Sequence, residues 1–403
     1  MSMLFERSAS QRVRDAIGDT PVVAIVGPRQ CGKSTLALEF AEGRKYLTLD
    51  DPVHLAHAKE NPADFLKAHG APLIIDEIQR APELFLPLKL MVDKHRTPGS
   101  YILTGSANVL LLPKIADSLA GRMEVIDLLP LSQAEIEGRK SNWVDNIFSN
   151  LPTETGASDT ILSRVLRGGF PEPVVRASKR RDAWFQSYVR TLLDRDVRDL
   201  ANIDGLTQLP KLLRLIASRA GEPLNLSSFS RETGLPHTTL TRYVDLLQAL
   251  YLIHMVPAWS SDIDVRLART PKAYLIDSGL AGYLNQTDER SLSHSEALRK
   301  SLVETYLASE LKKAILTAEG TYELFHLRTV KNKEVAFLIE ARDGRVVAID
   351  VRDEEVSGVH STERIDYVQE IVGDKFHRGV VLNYGSEAHI LTTKISAVSI
   401  LSL

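Results

Sequence analysis

Cysteine and long apolar runs are almost missing from this sequence. Cys31 is the single cysteine among 403 residues, so no disulfide can form within the chain, which fits a reducing cytosol. Residues 1–19 are charged throughout and contain no apolar core, so we expect no signal peptide. No apolar run approaches the roughly 20 residues that a membrane helix needs. We therefore predict a cytoplasmic protein with no membrane partner.

A strong overall charge is also missing. The 49 basic and 52 acidic residues leave a net charge of −3, which by itself favours no class of partner. The distribution is uneven, because residues 161–200 carry nine basic and five acidic side chains, whereas residues 286–403 carry 15 basic and 19 acidic ones. Different parts of the chain therefore either meet different partners or present differently charged faces to water.

Five short apolar segments alternate with helical ones over the first third of the chain. The predicted strands are PVVAIV (21–26), KYLTLD (45–50), PLIIDE (72–77), SYILTG (100–105) and MEVIDL (123–128). Four of them are nearly continuous apolar runs, as expected for strands that are covered on both faces. Strands separated by crossover helices predict an α/β fold with a doubly wound, five-stranded parallel sheet.

The length of the chain predicts two to four domains, and the pattern suggests four parts. They are a strand–helix core (1–130), a mostly helical connector (131–207), a helix–strand segment (208–285) and a C-terminal α/β domain (286–403). RGGFPEPV (167–174) is predicted to be a turn because of its glycines and prolines. The last part begins with a long helix, residues 295–316, and continues with three strands.

The connection after the first strand has the pattern of a phosphate-binding loop. GPRQCGKS (27–34) fits G-x-x-x-x-G-K-[ST] and is followed by an apolar helix. Its glycines allow backbone N–H groups to surround the β-phosphate, Lys33 adds charge near the γ-phosphate, and Ser34 offers its hydroxyl to Mg²⁺. The predicted ATP-binding residues are Gly27, Pro28, Arg29, Gln30, Cys31, Gly32, Lys33, Ser34 and Thr35.

An acid pair ends the third predicted strand, LIIDE. Asp76 is predicted to bind Mg²⁺, directly or through water, together with Ser34. Glu77 is predicted to orient the attacking water and to accept its proton as a general base. The pair therefore indicates hydrolysis of the nucleotide rather than transfer of the phosphoryl group to a small acceptor.

Two more polar sites follow the fourth strand and precede the fifth. Thr104 or Ser106, with Asn108 nearby, would place a polar group between Glu77 and the γ-phosphate. Arg122 lies just before the fifth strand, where it could reach the γ-phosphate of a neighbouring subunit as an arginine finger. The alternatives are a hydroxyl-rich helix cap for the first site and a surface arginine for the second.

The order of these motifs resembles a family of bacterial and archaeal AAA ATPases with a nuclease-like C-terminal domain of unassigned function. The matching segments are GPRQCGKSTL, LIIDEIQRAPELF, ILTGSAN, LAGR, LLPLSQAE, GGFPEP, LLDRDVRDL, KAYLIDSGLAGYL and KEVAFLIE…VVAIDVRD. The resemblance covers nearly the whole chain. It implies an AAA-type core that hydrolyses Mg-ATP at subunit interfaces, in a ring that we expect to be a hexamer.

Residues 224–253 have the rhythm of a helix-turn-helix. Gly234 falls in the short turn and Pro236 at the start of the second helix. The strands that follow would form a wing, so residues 208–285 are a predicted winged helix. The predicted DNA-binding residues are His237, Thr238, Thr239, Thr241 and Arg242 on the second helix, with Arg266, Arg269 and Lys272 of the wing. Hydroxyls suit phosphates better than bases, which predicts low sequence specificity, and the same fold also serves in protein packing.

The C-terminal part resembles a metal-dependent nuclease of the PD-(D/E)XK kind with parts missing. Such a site needs an acid at one strand end, and an acid and a lysine two residues apart on the next strand. The corresponding positions hold Ala336 and Asp350-Val351-Arg352, and an arginine cannot deprotonate to activate water. Glu304 and Glu334 remain nearby candidates for metal ligands. We predict a degenerate nuclease fold that serves as a structural or interaction domain.

These features predict an oligomeric, Mg-dependent ATPase that remodels duplex or branched DNA or moves along it. Two alternatives remain open. One is a nucleotide-gated signalling switch that recruits a protein partner, and the other is a DNA-cutting defence nuclease, which the degenerate residues disfavour. Stimulation of ATP hydrolysis by DNA separates the first reading from the switch.

Overall fold

The computed structural model, which describes residues 4–106, 119–150, 160–193, 208–328, 334–353 and 362–403, shows a chain folded as two units. The first unit comprises Met1–Leu131 and the short segment Gln248–Leu252. The second comprises Ser132–Leu247 and Ile253–Leu403. Gln248–Leu252 therefore interrupts the second unit in sequence but packs with the first.

The first unit is built on a five-stranded parallel sheet with the order β2-β3-β4-β1-β5. Its strands are β1 (Val22–Val26), β2 (Lys45–Thr48), β3 (Leu73–Asp76), β4 (Tyr101–Gly105) and β5 (Met123–Asp127). Each strand lies inside one of the predicted segments, and all four pairings are parallel. The predicted α/β class and the five-stranded parallel sheet are confirmed.

Helices cover both faces of this sheet. They are α1 (Ala9–Asp19), α2 (Lys33–Leu38), α3 (Pro52–Glu60), α4 (Pro62–His69) and α5 (Phe85–Lys94), with single 3-10 turns at Ile78–Arg80 and Pro82–Leu84. Along β1, Val22, Ala24 and Val26 pack into one apolar cluster, whereas Val23 and Ile25 pack into another. Because β1 is buried on both faces, its sequence is a continuous apolar run rather than an alternating one.

The second unit begins with helices and contains the predicted glycine-proline turn. Its helices are α6 (Gln133–Ile136), α7 (Trp143–Ser149), α8 (Ile161–Arg167), α9 (Pro171–Val174), α10 (Ser178–Thr191), α11 (Leu209–Ser218), α12 (Leu226–Thr233), α13 (His237–Ala249), α14 (Ile263–Ala268), α15 (Ser278–Leu284), α16 (Glu289–His294), α17 (Glu296–Thr317) and α18 (Glu363–Val372). Gly168 makes the turn with a φ of 66°, and a Cβ there would lie 2.4 Å from Asp277 Oδ1. Asp277 accepts hydrogen bonds from the N–H groups of Gly169 and Leu280, at 2.6 and 2.8 Å. The turn therefore needs glycine, and its prolines form the single helical turn α9.

Helices α11, α12 and α13 are followed by two antiparallel strands, β6 (Ile253–Val256) and β7 (Lys272–Leu275). Pro223, between α11 and α12, forms an isolated bridge with Lys272. Gly234 ends α12 with a left-handed φ of 74°, as the predicted turn requires. Helix α14 lies in the connection between β6 and β7.

A six-stranded mixed sheet with the order β12-β13-β11-β10-β9-β8 completes the second unit. Its strands are β8 (Tyr322–Arg328), β9 (Glu334–Ala341), β10 (Val346–Val351), β11 (Phe376–Asn383), β12 (His389–Ile390) and β13 (Ile395–Ser399). Strands β8, β9 and β10 form an antiparallel meander, and β11 returns parallel to β10 after α18. The predicted long helix and the three strands that follow it are present, as α17 and as β8, β9 and β10.

Helix α17 has 22 residues and buries charged side chains as well as apolar ones. Lys313 donates to Glu310 one turn earlier at 2.7 Å, and both side chains are almost completely buried. Neither α17 nor any other helix in the described ranges is long and apolar enough to cross a membrane.

Candidate functional site

The phosphate-binding loop leaves β1 and enters α2 through a backbone that only glycine can form. A Cβ on Gly27 would lie 2.0 Å from the carbonyl oxygen of Leu128, which follows β5. Gly32 occupies the N-cap of α2 with a left-handed φ of 102°. The two glycines of the motif therefore meet two separate requirements, close approach of a neighbouring strand end and a positive φ.

Two side chains of the loop fold back onto its backbone. Lys33 is 4% exposed, and its Nζ donates to the carbonyl oxygen of Pro28 at 2.8 Å. The buried Cys31 Sγ contacts the oxygen of Leu128 at 3.1 Å, and burial raises the pKa of its thiol. Cys31 is thus a packing residue of the loop rather than a reactive thiol.

The loop and the acid pair meet at the carboxyl ends of the parallel strands. Ser34 Oγ donates to Asp76 Oδ1 at 2.7 Å, although the two residues are 42 positions apart. A hydroxyl and a carboxylate side by side are the hard oxygen donors that Mg²⁺ takes, with the rest of its shell from phosphate and water. These donors fit Mg²⁺ bound with a nucleotide. Within the described residues no group of three or more His, Cys, Asp or Glu side chains could hold a metal.

Thr104, at the end of β4, fixes both members of the acid pair. Its hydroxyl donates to Asp76 Oδ1 and accepts the backbone N–H of Glu77 at 3.0 Å. Glu77 has a left-handed φ of 60°, a conformation that a non-glycine residue adopts only where neighbours hold it. Thr104 is 1% exposed, so the acid pair is supported by a buried side chain. Ser106 lies two residues further along the chain, directly after β4. Asn108 lies outside the described residues.

Three residues that sequence reasoning missed complete this network. Arg7 donates to the carbonyl oxygens of Cys31 and Leu129, both at 2.7 Å, and so braces the loop from the segment before α1. Tyr46 on β2 donates to Asp76 Oδ2 at 2.8 Å, and burial together with this carboxylate raises the pKa of its phenol. Gln79 donates through Nε2 both to Glu77 and to Ser106. Of these three residues, Gln79 alone is close in sequence to a predicted site residue, because it follows Glu77 in the segment DEIQ.

A fourth contact involves the segment that returns to this unit late in the chain. The Tyr251 hydroxyl donates to Asp127 Oδ1, at the end of β5, at 2.7 Å. Burial and the neighbouring carboxylate raise the pKa of Tyr251, so the phenol stays protonated. Asp127 immediately precedes Leu128, whose carbonyl oxygen touches the phosphate-binding loop.

Arg122 is 29% exposed and stands directly before β5. Its Nε donates to Asp93 at the end of α5, and its Nη1 donates to the carbonyl oxygen of Ala120 at 3.0 Å. The hydrogen bond from Arg122 lowers the pKa of the Asp93 carboxyl, so the pair stays charged near neutral pH. The guanidinium is therefore held by Asp93 and the backbone of Ala120 while it stays partly exposed.

Comparison with protein families agrees with this geometry. Residues 19–137 match the family model described as an AAA domain. The first unit carries an AAA domain. Two further models match, both described as domains of unknown function, over residues 158–291 and 299–403. The predicted resemblance to a nucleotide-binding P-loop ATPase with an unassigned C-terminal domain is confirmed.

Two relatives from mycobacteria are described as uncharacterised proteins. One protein each from Mycobacterium tuberculosis and Mycobacterium bovis is 29% identical over 355 residues, which cover 87% of this chain and 74% of each relative. Among solved structures, the Walker-type ATPase of Pyrococcus abyssi covers 70% of this chain and 96% of its own, at 16% identity and a TM-score of 0.47. RuvB of Thermotoga maritima covers 63% of this chain and 90% of its own, at 20% identity and a TM-score of 0.32.

The predicted DNA-contacting face of α13 lies in the second unit, apart from the AAA domain in sequence. His237, Thr238, Thr241 and Arg242 are exposed, and Thr239 is half-buried. The opposite face of the helix is buried. The polar residues thus line the free side of the helix, starting at its N-terminal end.

Two of the three predicted wing residues are wrong as DNA contacts. Lys272 is completely buried, and its Nζ donates to Glu304 at 2.9 Å and binds Glu334 at 2.5 Å. Arg266 donates to Glu340 and to the carbonyl oxygen of Ser260, with its guanidinium 4.5 Å from the ring centre of Phe325. Both cations therefore hold the unit together. Arg269, in contrast, is exposed.

The ion pairs of Lys272 also occupy the two remaining candidates for nuclease ligands. Burial alone lowers the pKa of Lys272, but Glu304 and Glu334 outweigh it and raise that pKa above its ordinary value. Tyr274 adds a hydrogen bond to Glu304 at 2.6 Å. An ammonium group thus stands between these carboxylates, where it competes with any divalent cation.

The two positions that were compared with a nuclease site, Ala336 and Asp350, lie on neighbouring strands. In the pairing of β9 with β10, Phe337 faces Ile349, next to these residues on both strands. Asp350 is 1% exposed and forms ion pairs with Arg352 and Arg364 at 3.0 and 3.2 Å. Asp350 is therefore paired with two arginines, and position 336 holds an alanine in place of the first acid.

Proposed function

We propose that the protein hydrolyses ATP with Mg²⁺ in an oligomeric ring and couples hydrolysis to binding and rearrangement of DNA. The observation that carries the ATPase part is the hydrogen bond from Ser34 to Asp76, because it joins the phosphate-binding loop to the acid pair. Ser34 and Asp76 would hold Mg²⁺, which neutralises phosphate charge when it is bound. Phosphate release by the purified protein, measured with and without Mg²⁺, tests this part directly.

The remaining side chains of the site take their roles from their contacts. Lys33 would exchange the oxygen of Pro28 for the phosphates, and Glu77 would accept the proton of the attacking water. Thr104 is fully engaged with Asp76 and Glu77, whereas Ser106, just after β4, accepts a hydrogen bond from Gln79. We assign sensing of the γ-phosphate to Ser106 for this reason.

Arg122 is proposed to complete the site of a neighbouring subunit, and this predicts a specific pattern of complementation. An Arg122→Ala protein should assemble normally but hydrolyse ATP about 1,000-fold more slowly, at the lower end of the range for an arginine finger. In mixtures with Lys33→Ala subunits, which keep Arg122, hydrolysis by the Arg122→Ala subunits should recover. Phosphate release across mixing ratios measures this, and an absence of recovery would place Arg122 outside the neighbour's site.

The DNA part of the proposal is supported by the order of elements in the second unit. Helices α11, α12 and α13, the bridge at Pro223 and the strands β6 and β7 follow one another as in a winged helix. Its second helix after the turn offers exposed hydroxyls and Arg242, which suit phosphate contacts of low sequence specificity. One subunit would bind weakly, and a ring would add contacts through avidity.

An Arg242→Ala substitution should weaken DNA binding similarly for all sequences. If Arg242 contacts one phosphate, the slope of log affinity against log salt should fall by about one per subunit. Fluorescence anisotropy with duplex and four-way DNA at several salt concentrations measures this slope. Arg342→Ala, an exposed arginine between β9 and β10, is the control and should leave the slope unchanged.

DNA-dependent hydrolysis decides between this proposal and its alternatives. We expect single-stranded, duplex, forked or four-way DNA to raise the rate of ATP hydrolysis at low salt. Hydrolysis that no DNA stimulates would favour a nucleotide-gated switch with a protein partner. Cleavage of DNA with Mg²⁺ or Mn²⁺ would support the nuclease alternative, against which the ion pairs of Lys272 and Asp350 argue.

A further inference from the structure

The side chain of Gln79 bridges two groups that the proposed mechanism uses separately. Its Nε2 donates to Glu77 Oε2 and, at 2.8 Å, to Ser106 Oγ. The orientation of the amide is fixed by chemistry, because an ionised carboxylate can only accept hydrogen bonds and must face the NH₂ end. Both N–H groups of Gln79 are therefore committed, one to the proposed base and one to the proposed sensor.

The backbone around Glu77 explains why such a bridge is useful. Glu77 follows β3 with a left-handed φ of 60°, and Thr104 holds its N–H but leaves its carboxylate free. A glutamate has three side-chain torsions, so its carboxylate keeps one position only if another group holds it. Gln79 lies two residues further on, in the 3-10 turn Ile78–Arg80, which sets it beside Glu77.

We propose that Gln79 is a positioning residue. It holds the Glu77 carboxylate where it can accept the proton of the attacking water, and it links that carboxylate to Ser106. The proposal rests on the ATP hydrolysis proposed above. An aligned base matters because small displacements of a catalytic group cost large factors in rate. Because of the link to Ser106, a γ-phosphate that binds Ser106 is connected to the Glu77 carboxylate through the single amide group of Gln79.

Gln79→Glu is the sharpest test, because it keeps the shape of the side chain and removes both donated hydrogen bonds. We expect the turnover number to fall about 10- to 100-fold, with the dissociation constant for ATP unchanged. Gln11→Glu is a matched control, because Gln11 on α1 also donates to a carboxylate, Asp15 at 2.7 Å, but lies on the exposed face of that helix.

A Gln79 substitution made in the Glu77→Gln protein separates a positioning role from a structural one. In a Glu77→Gln protein, Gln79→Ala should cost no further activity, because the base that it positions is already gone. A Gln79→Glu protein with the turnover number of the wild type would overturn the proposal. If the wild type itself releases no phosphate from ATP, the proposed function fails, and the positioning role of Gln79 fails with it.

Discussion

ATP should remain tightly bound to a Glu77→Gln protein, while its hydrolysis falls at least about 100-fold. Glutamine keeps the size of the side chain and cannot accept the proton of the attacking water, and general bases contribute about 100- to 10,000-fold to such reactions. Ser34, Asp76 and the loop are untouched by the change, so the phosphates keep their contacts. Single-turnover phosphate release and filter binding of ATP measure the two effects separately.

The comparison with two other variants makes this result specific. Glu83→Gln changes an exposed glutamate six residues away and should hydrolyse ATP as the wild type does. Lys33→Ala should lose turnover together with affinity, because it removes a cation that contacts the phosphates. If Glu77→Gln instead turns over ATP normally, the base is another residue, and the Gln79 bridge has a different purpose.

Replacing Lys272 by methionine should destabilise the second unit by about 3–5 kcal/mol, as found when one partner of a buried ion pair is removed. The loss leaves Glu304 and Glu334 facing one another without a cation, and Lys272 is completely buried. Thermal unfolding should shift by roughly 2 °C or more for each kcal/mol in a unit of this size. Circular dichroism with temperature measures the shift.

Two further variants test whether charge is the cause. Lys272→Met combined with Glu334→Gln should recover part of the stability, because one of the two carboxylates that Lys272 compensates is then neutral. Lys375→Met, an exposed lysine of the same unit, should change little. If the double variant is no more stable than Lys272→Met, the loss comes from packing of the side chain rather than from the ion pairs.

The AAA domain was largely predictable because its information is local. The parallel strands are continuous apolar runs, and the loop motif is defined by residues that are neighbours in sequence. The supporting residues were not predictable, because Tyr46 and Arg7 reach Asp76 and Cys31 only after the sheet has brought distant strand ends together. No periodicity or spacing in one sequence carries that proximity.

In the predicted wing, two basic residues were wrongly expected to be exposed. A lysine and an arginine near predicted strands indicated DNA contacts, yet Lys272 and Arg266 pair with carboxylates located far along the chain. Sequence position gives the charge of a side chain but not its exposure, and a basic residue without a visible acidic neighbour is easily assigned to the surface. The exposed polar face of α13 was easier to predict, because helical spacing alone separates its two sides.

The return of Gln248–Leu252 to the AAA domain changes how this protein can be divided. The chain passes from one unit to the other three times, after Leu131, after Leu247 and after Leu252. A cut near residue 131 would therefore leave the N-terminal fragment held only by its non-covalent packing with Gln248–Leu252, which stays on the C-terminal fragment. A fragment that ends at Leu131 would lack Tyr251 and leave Asp127 without its phenol donor, beside the strand end that touches Gly27. An N-terminal fragment that keeps this contact must therefore reach at least to Tyr251.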